Sequence, residues 1–166
     1  MKLITYDWHR VERSLQDIAM QMYKDNWRPD YIVGITRGGL VPAVMLSHMT
    51  DIPMHTLCVQ LGAEGLEENT ESNCWMAEDA YGYNEKQKNI LVIDDINRGG
   101  DALAWLMNDW KSGCLPNDTL TWESVWHNNV KFAALMSDPN SIVETDYFSA
   151  ELPTDLETWI EFPWEC

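Results

Sequence analysis

The chain has 166 residues, 45% of them hydrophobic and nine of them Trp, enough apolar surface for one sizeable core and too much for a disordered polymer. Twenty-seven Asp and Glu against eleven Lys and Arg leave a formal net charge of −16, a surface that repels nucleic acid and anionic membranes. No apolar run approaches a membrane span, the opening MKLITYDWHR has no signal-peptide pattern, and Cys58, Cys74, Cys114 and Cys166 lack CxxC spacing, so one cytoplasmic domain over residues 1–166 with reduced thiols is expected.

Val11, Leu15, Ile18, Ala19 and Met22 recur at helical spacing and predict an amphipathic helix over 8–24, with Asp7 as its N-cap. Pro29 closes the connection, and YIVGI (31–35) reads as the first core strand. Thr36, Arg37, Gly38 and Gly39 form a glycine turn into a helix over 40–49. Glycines there let the backbone approach an anion, and Arg37 offers a planar fork to phosphate oxygens; the same residues would also serve as a tight turn with a solvated arginine. His48 and His55 lack ligand spacing. Residues 55–61 predict a second strand, and 62–85, acidic and poorly periodic, a flexible flap. No Lys or Arg occurs between Arg37 and Lys86.

Residues 89–105, NILVIDDINRGGDALAW, read as strand, turn and helix. The run 90–93 is apolar without alternation, as in a parallel strand buried on both faces, and it ends in Asp94 and Asp95, at the strand end where open α/β sheets bind ligands. Gly99 and Gly100 let successive N–H groups converge on an anion at the next helix. The combination suits a sugar phosphate: carboxylates for ribose hydroxyls and a backbone nest for phosphate. The competing reading is a buried strand ending in an Asp-rich turn, with Asp101 capping the helix. That helix is expected over 102–110, ended by Gly113 and Pro116. In an insertion over 117–129, Trp122 and Trp126 stand at i, i+4 and predict a short helix laid on the body. Residues 131–136 read as a core strand, 137–140 as its turn and 142–148 as the last strand. The ending TWIEFPWE (158–165) supplies a flat aromatic partner and edge acceptors for a purine, or else plugs the sheet edge.

Three of these stretches resemble the type I phosphoribosyltransferases. The strand with its acid pair and glycine loop is similar to their phosphoribosyl-pyrophosphate (PRPP) motif. Thr36-Arg37-Gly38-Gly39-Leu40-Val41-Pro42 resembles the pyrophosphate loop of the xanthine-guanine enzymes, and the C-terminal stretch their Thr-Trp-Ile-x-x-Pro-Trp-acid ending. The resemblance, spanning 31–165, implies an α/β fold with a parallel sheet of about five strands flanked by helices, a small hood (62–85) and a purine-binding tail (158–165). It implies transfer of ribose 5-phosphate from PRPP to a purine base with release of pyrophosphate, as in purine salvage, with Mg²⁺ as cofactor and a homo-oligomer, dimer or tetramer, as the assembly. Asp94 and Asp95 would then hold the ribose hydroxyls, with Asp95 also a metal ligand. Thr36, Arg37, Gly38, Gly39, Arg98, Gly99, Gly100 and Asp101 would hold the phosphates, and Asp138, Trp159 and Ile160 would meet the base. Asn97 or Arg98 takes the place of a carboxylate that in the family faces the purine, and Asn97 can hydrogen-bond without acting as a base.

The chain departs from the pattern at identifiable points. Both loop threonines are missing and Asp101 has entered the loop; the hood carries no cation; Asp138 stands where the 6-oxopurine enzymes have a lysine that donates to O6. A carboxylate there would favour an amino-substituted ring such as adenine. These departures are what a non-catalytic PRPP- or nucleotide-binding regulator of the same fold would also carry. An acidic scaffold or nucleic-acid mimic would rest on charge alone.

Overall fold

The computed structural model describes residues 1–62, 67–70, 73–83, 85–113, 118–155 and 157–165, and only the backbone of 67–69. In chain order its elements are β1 (Lys2–Thr5), α1 (Trp8–Lys24), β2 (Tyr31–Thr36), α2 (Leu40–Thr50), β3 (Met54–Leu61), β4 (Glu67–Thr70), α3 (Cys74–Tyr81), β5 (Ile90–Asn97), α4 (Asp101–Gly113), α5 (Thr119–Val125), β6 (Val130–Ser137), β7 (Tyr147–Glu151) and β8 (Thr158–Glu161).

The apolar runs of β2, β5 and β6 are buried on both faces, and they occupy the middle of a sheet ordered β4-β3-β2-β5-β6-β7. Five of its strands, β3 to β7 in that order, run parallel; β4 adds antiparallel to β3. Helices cover both faces. Ile90 and Val92 of β5 pack with α3, α4 and α5 in one cluster containing Trp110 and Trp122, while Leu91 and Ile93 pack with α1 and α2 in the other. Alternate residues of a strand point to opposite faces, so one apolar run feeds both cores. From β2 the chain crosses to β3 on one side, and from β5 it crosses to β6 on the other. The order therefore reverses between β2 and β5, and the crevice beyond their carboxyl ends is where such sheets take ligands.

Helix α1 has the expected bounds, and the Asp7 carboxylate accepts from Arg10 N at 2.7 Å as its N-cap. Two expectations need correction, and one strand was not expected. The stretch 62–85 is not a flap throughout: β4 extends the sheet and α3 buries Met76, Ala77 and Ala80 in the core, while 63–66, 71–72 and 84 lie outside the described residues. The last strand of the main sheet is Tyr147–Glu151, not 142–148, because Ile142 is 72% exposed on the connecting loop. Finally, Lys2–Thr5 is a strand that no apolar run announces; it pairs in parallel with β8, Lys2 opposite Thr158 through Thr5 opposite Glu161. This separate two-stranded sheet ties the C-terminal stretch to the body through Tyr6, which is buried against Phe162 at 4.9 Å between ring centres.

Candidate active site

Strand β5 runs on past Ile93 through Asn97, so the acid pair lies within its last turn of pairing rather than beyond it. Asp95 N donates to Asp94 Oδ1 at 2.8 Å and Ile96 N to Asp95 Oδ1 at 2.7 Å, which fixes both carboxylates against their own backbone. Burial, and then the neighbouring Asp95, pushes the Asp94 carboxyl well above the usual carboxylate range. Burial raises Asp95 too, against the bonds from Asp94 and Ile96 that favour its ionised form; Glu165 adds to the rise. The two side chains serve different spaces. Asp95 lines a cavity of about 600 Å³ with Arg37, Gly38, Trp159, Glu161, Trp164 and Glu165. Asp94 lines one of about 310 Å³ with the loop from Arg98 to Ala102 and with Leu61 and Gly62.

The first cavity is built by approach of the β2–α2 turn to β5. A Cβ on Gly38 would sit 2.2 Å from Asp95 Oδ2, and one on Gly39 would sit 2.4 Å from the Ile93 carbonyl, so only glycine admits this packing. Gly39 N donates to the Ile35 carbonyl at 2.8 Å and closes the turn, and the Thr36–Arg37 peptide is cis. Thr36 is half-buried; Arg37 is exposed and makes no ion pair among the described residues, so its guanidinium is available to a ligand. The opposite wall is the tail. Trp159 is 57% exposed and faces this cavity, whereas Ile160, next along the strand, is buried in the core with Tyr6 and Phe162. Strand alternation accounts for this: neighbours on a strand point opposite ways, so the Ile160 side chain belongs to the core. Trp164 stacks on Phe162 at 4.8 Å with 2° between planes, and Glu165 accepts from Phe162 N at 2.9 Å. Trp164, Glu161 and Glu165 were not singled out from the sequence, although all three belong to the aromatic, acidic ending.

At the second cavity, Gly100 takes φ +88, a conformation favourable only to glycine, and Gly99 and Asp101 are exposed beside it at the start of α4. Asp101 occupies the first turn of the helix, an anion at the end to which a phosphate would also be drawn. Arg98 does not reach into this loop: its Nη2 donates to the Thr158 carbonyl at 3.3 Å, bridging the loop to the tail. Asn97 is 4% exposed and its amide is committed, Nδ2 donating to the Val143 carbonyl at 2.7 Å and Oδ1 accepting from Ser141 Oγ at 3.3 Å. Asp138 stands apart from both cavities. It accepts from Asn140 N at 2.8 Å in an Asx turn and lines a smaller cavity of about 200 Å³ with Pro139, Glu144 and Phe148.

The donor set of the larger cavity suits a hard divalent cation. Asp95, Glu161 and Glu165 outnumber the one guanidinium, and the raised Asp94 and Asp95 carboxyls lack a cationic partner among the described residues. Among the described residues no three such side chains converge on one point.

The phosphoribosyl transferase domain model matches residues 4–166. The chain belongs to the phosphoribosyltransferase family, a family of enzymes. It is similar to the xanthine-guanine phosphoribosyltransferase of Idiomarina loihiensis, 26% identical over 159 residues that cover 95% of this chain and 84% of the relative. The enzyme of that name from Desulfotalea psychrophila is 27% identical over 162 residues, covering 95% and 83%. Among solved structures, the purine phosphoribosyltransferase of Pyrococcus horikoshii superposes with a TM-score of 0.68 at 27% identity, covering 100% of this chain and 95% of its own. The Helicobacter pylori xanthine-guanine-hypoxanthine phosphoribosyltransferase gives 0.69 at 19% identity over 98% and 93%, a likeness of fold. The chain is thus a type I phosphoribosyltransferase similar to the xanthine-guanine enzymes, and its parallel five-strand core flanked by helices is the fold that the three motifs imply.

Proposed function

We propose that this phosphoribosyltransferase moves ribose 5-phosphate from PRPP to a purine base and releases pyrophosphate. The observation that carries the reading is the acid pair standing between two cavities, one lined by Arg37 and the tail indoles and the other by the glycine loop at the head of α4. In this reading the 5′-phosphate takes the Gly99–Gly100 nest, the ribose hydroxyls face Asp94 and Asp95, and pyrophosphate takes the Thr36 to Gly39 turn. The base lies against Trp159 and Trp164. Breaking the bond between C1 of the sugar and pyrophosphate oxygen leaves an oxocarbenium-like centre, whose charge the two carboxylates stabilise as a purine nitrogen bonds to C1 and loses its N–H proton to solvent. Arg37 meets the negative charge gathering on the leaving group. Asp95 would hold Mg²⁺, which when bound supplies charge neutralisation for pyrophosphate. Asn97 is assigned to holding the loop, and Arg98 to joining loop and tail. The whole chain acts as one unit here, since β1 near its start supports the tail near its end.

The test is pyrophosphate release with PRPP and a panel of purine bases, in wild type and in Asp94→Asn with Asp95→Asn. Base-dependent release that the double variant loses, with folding intact, supports the assignment. A wild type that binds PRPP yet releases nothing with any base would make the protein a sensor; a double variant at wild-type rate would move the site elsewhere.

A further inference from the structure

We infer that the amino-terminal half of α1 carries a second anion site, built for a phosphate group and independent of the cavities around Asp94 and Asp95. An open cavity of about 540 Å³ lies between α1 and the edge strand β7, lined by Tyr6, Arg10, Arg13, Ser14, Gln16, Asp17, Ser149 and Ala150. Two of the chain's eleven cations meet here, in a protein of net charge −16. Among the described residues neither is spent on an acid: Arg13 is exposed without an ion pair, and the Arg10 guanidinium lies 4.0 Å over the Tyr6 ring. Arginines one helical turn apart share a face, so their forks can close on one tetrahedral anion.

The floor of the cavity supplies the independent observation. Tyr6 is 1% exposed, and its buried hydroxyl lies within reach of Ser14 and Arg10 without a well-formed hydrogen bond to either. A buried hydroxyl without a well-formed bond is costly, and the wall it shares with Arg10 and Ser14 is where an acceptor would satisfy it. Ser14, itself 4% exposed, adds a second hydroxyl. Two guanidiniums with two hydroxyl donors match the several acceptor oxygens of a phosphate better than the two of a carboxylate. Asp17 opposes the ligand from the same wall and leaves the site one positive charge to the good.

The test is a titration of ¹⁵N-labelled protein with inorganic phosphate against a sodium chloride series of matched ionic strength, following the amides and arginine side chains of α1 separately from the amides of 98–102. Saturable phosphate shifts in the α1 set, absent with chloride, are expected. Arg13→Gln, an exposed change, should weaken that set at least five-fold and leave the 98–102 set in place. Asp17→Asn should tighten it two- to three-fold. Tyr6→Phe keeps the ring packed on Phe162 and removes only the hydroxyl, so it should weaken phosphate several-fold without lowering the melting temperature. An α1 set that does not move, that moves equally with chloride, or that ignores Arg13→Gln would overturn the site.

Discussion

Gly38 offers the sharpest test of how the site is assembled. Alanine there would place Cβ 2.2 Å from Asp95 Oδ2, 2.5 Å from Cγ and 2.8 Å from Oδ1, where ordinary contact begins at 3.4 Å. The nearest oxygen must retreat by about 1.2 Å, and because Cγ is crowded too, rotation of the carboxylate cannot relieve the clash. Asp95 is held by the Ile96 N–H, so the retreat breaks that bond or displaces the turn. A misplacement of about 1 Å at a reacting group lowers rates roughly 100-fold, equivalent to about 2.7 kcal/mol of transition-state stabilisation. Overpacking should lower stability by only about 1–3 kcal/mol, so the fold survives. Initial rates of pyrophosphate release, with thermal unfolding measured in parallel, separate the two effects. The matched control is Gly113→Ala at the end of α4, where an added Cβ meets none of the described residues within 4 Å; its rate should be unchanged and its stability equal or higher by up to about 1 kcal/mol. A Gly38→Ala protein within three-fold of wild type would refute the claim that contact between this turn and Asp95 sets the reacting geometry.

Asp101→Thr removes an anion from the first turn of α4 and should tighten binding of a 5′-phosphate by about 1 kcal/mol, measured by calorimetry with ribose 5-phosphate; unchanged affinity would reject the competition. Asp138→Lys should leave the ranking of adenine, guanine, xanthine and hypoxanthine unaltered in initial-rate assays, because Asp138 sits in an Asx turn outside the Asp95 cavity; a switch of preference would return it to the base. His127 Nδ1 lies 3.1 Å from both Asp146 oxygens, and that hydrogen bond raises the imidazole above its ordinary 6.5. The fold therefore favours the protonated ring: the contribution is complete below the unfolded value and is lost as pH rises through the raised folded one. Urea midpoints across that window should fall in wild type and fall less in His127→Gln, and equal slopes in the two would exclude the pair as the cause.

What the sequence disclosed, and what it hid, follows from how each element is stabilised. Strand β5 was legible because four consecutive apolar residues admit few other uses, yet its end was not: pairing continues through polar Asp94 to Asn97 because β6 supplies partners from Asp94–Ala134 to Asn97–Ser137. Helix α1 showed its whole length because one face is buried and the other wet. Strand β1 is four mostly exposed residues whose partner lies more than 150 positions away, so nothing local marks it. Helix α3 is only eight residues in an acidic stretch, and packing rather than periodicity holds it. At the site, motifs placed Asp94, Asp95, Arg37 and the glycines together, but direction was beyond them. Trp159 and Ile160 are adjacent in sequence and opposite in space, and Asn97 and Arg98 spend their side chains on neighbouring backbone.

That last pair explains how the glycine loop can lose its hydroxyls and still keep its shape. Threonines in such a loop would supply side-chain donors to phosphate; here the cradle is held from behind, by the connection between β6 and β7. Ile142 N donates to the Gly99 carbonyl at 3.1 Å, Asp138 N donates to the Asn97 carbonyl at 2.8 Å, and Ser141 Oγ bonds both the Asn97 side chain and the Val143 carbonyl. The same serine would lie 2.5 Å from a Cβ on Gly100, so the connection can press this close only because position 100 is glycine. The Asx turn of Asp138 in turn starts the connection on its path. Residues that sequence comparison assigns to the base, Asn97 and Asp138, thus fix the backbone of the loop that lines the second cavity. In a chain whose overall charge repels a polyanion, fixed backbone dipoles have an advantage over added cations. They are already aimed before the ligand arrives, and their pull falls off within a few ångströms, where the long-range field of −16 is no longer what decides binding.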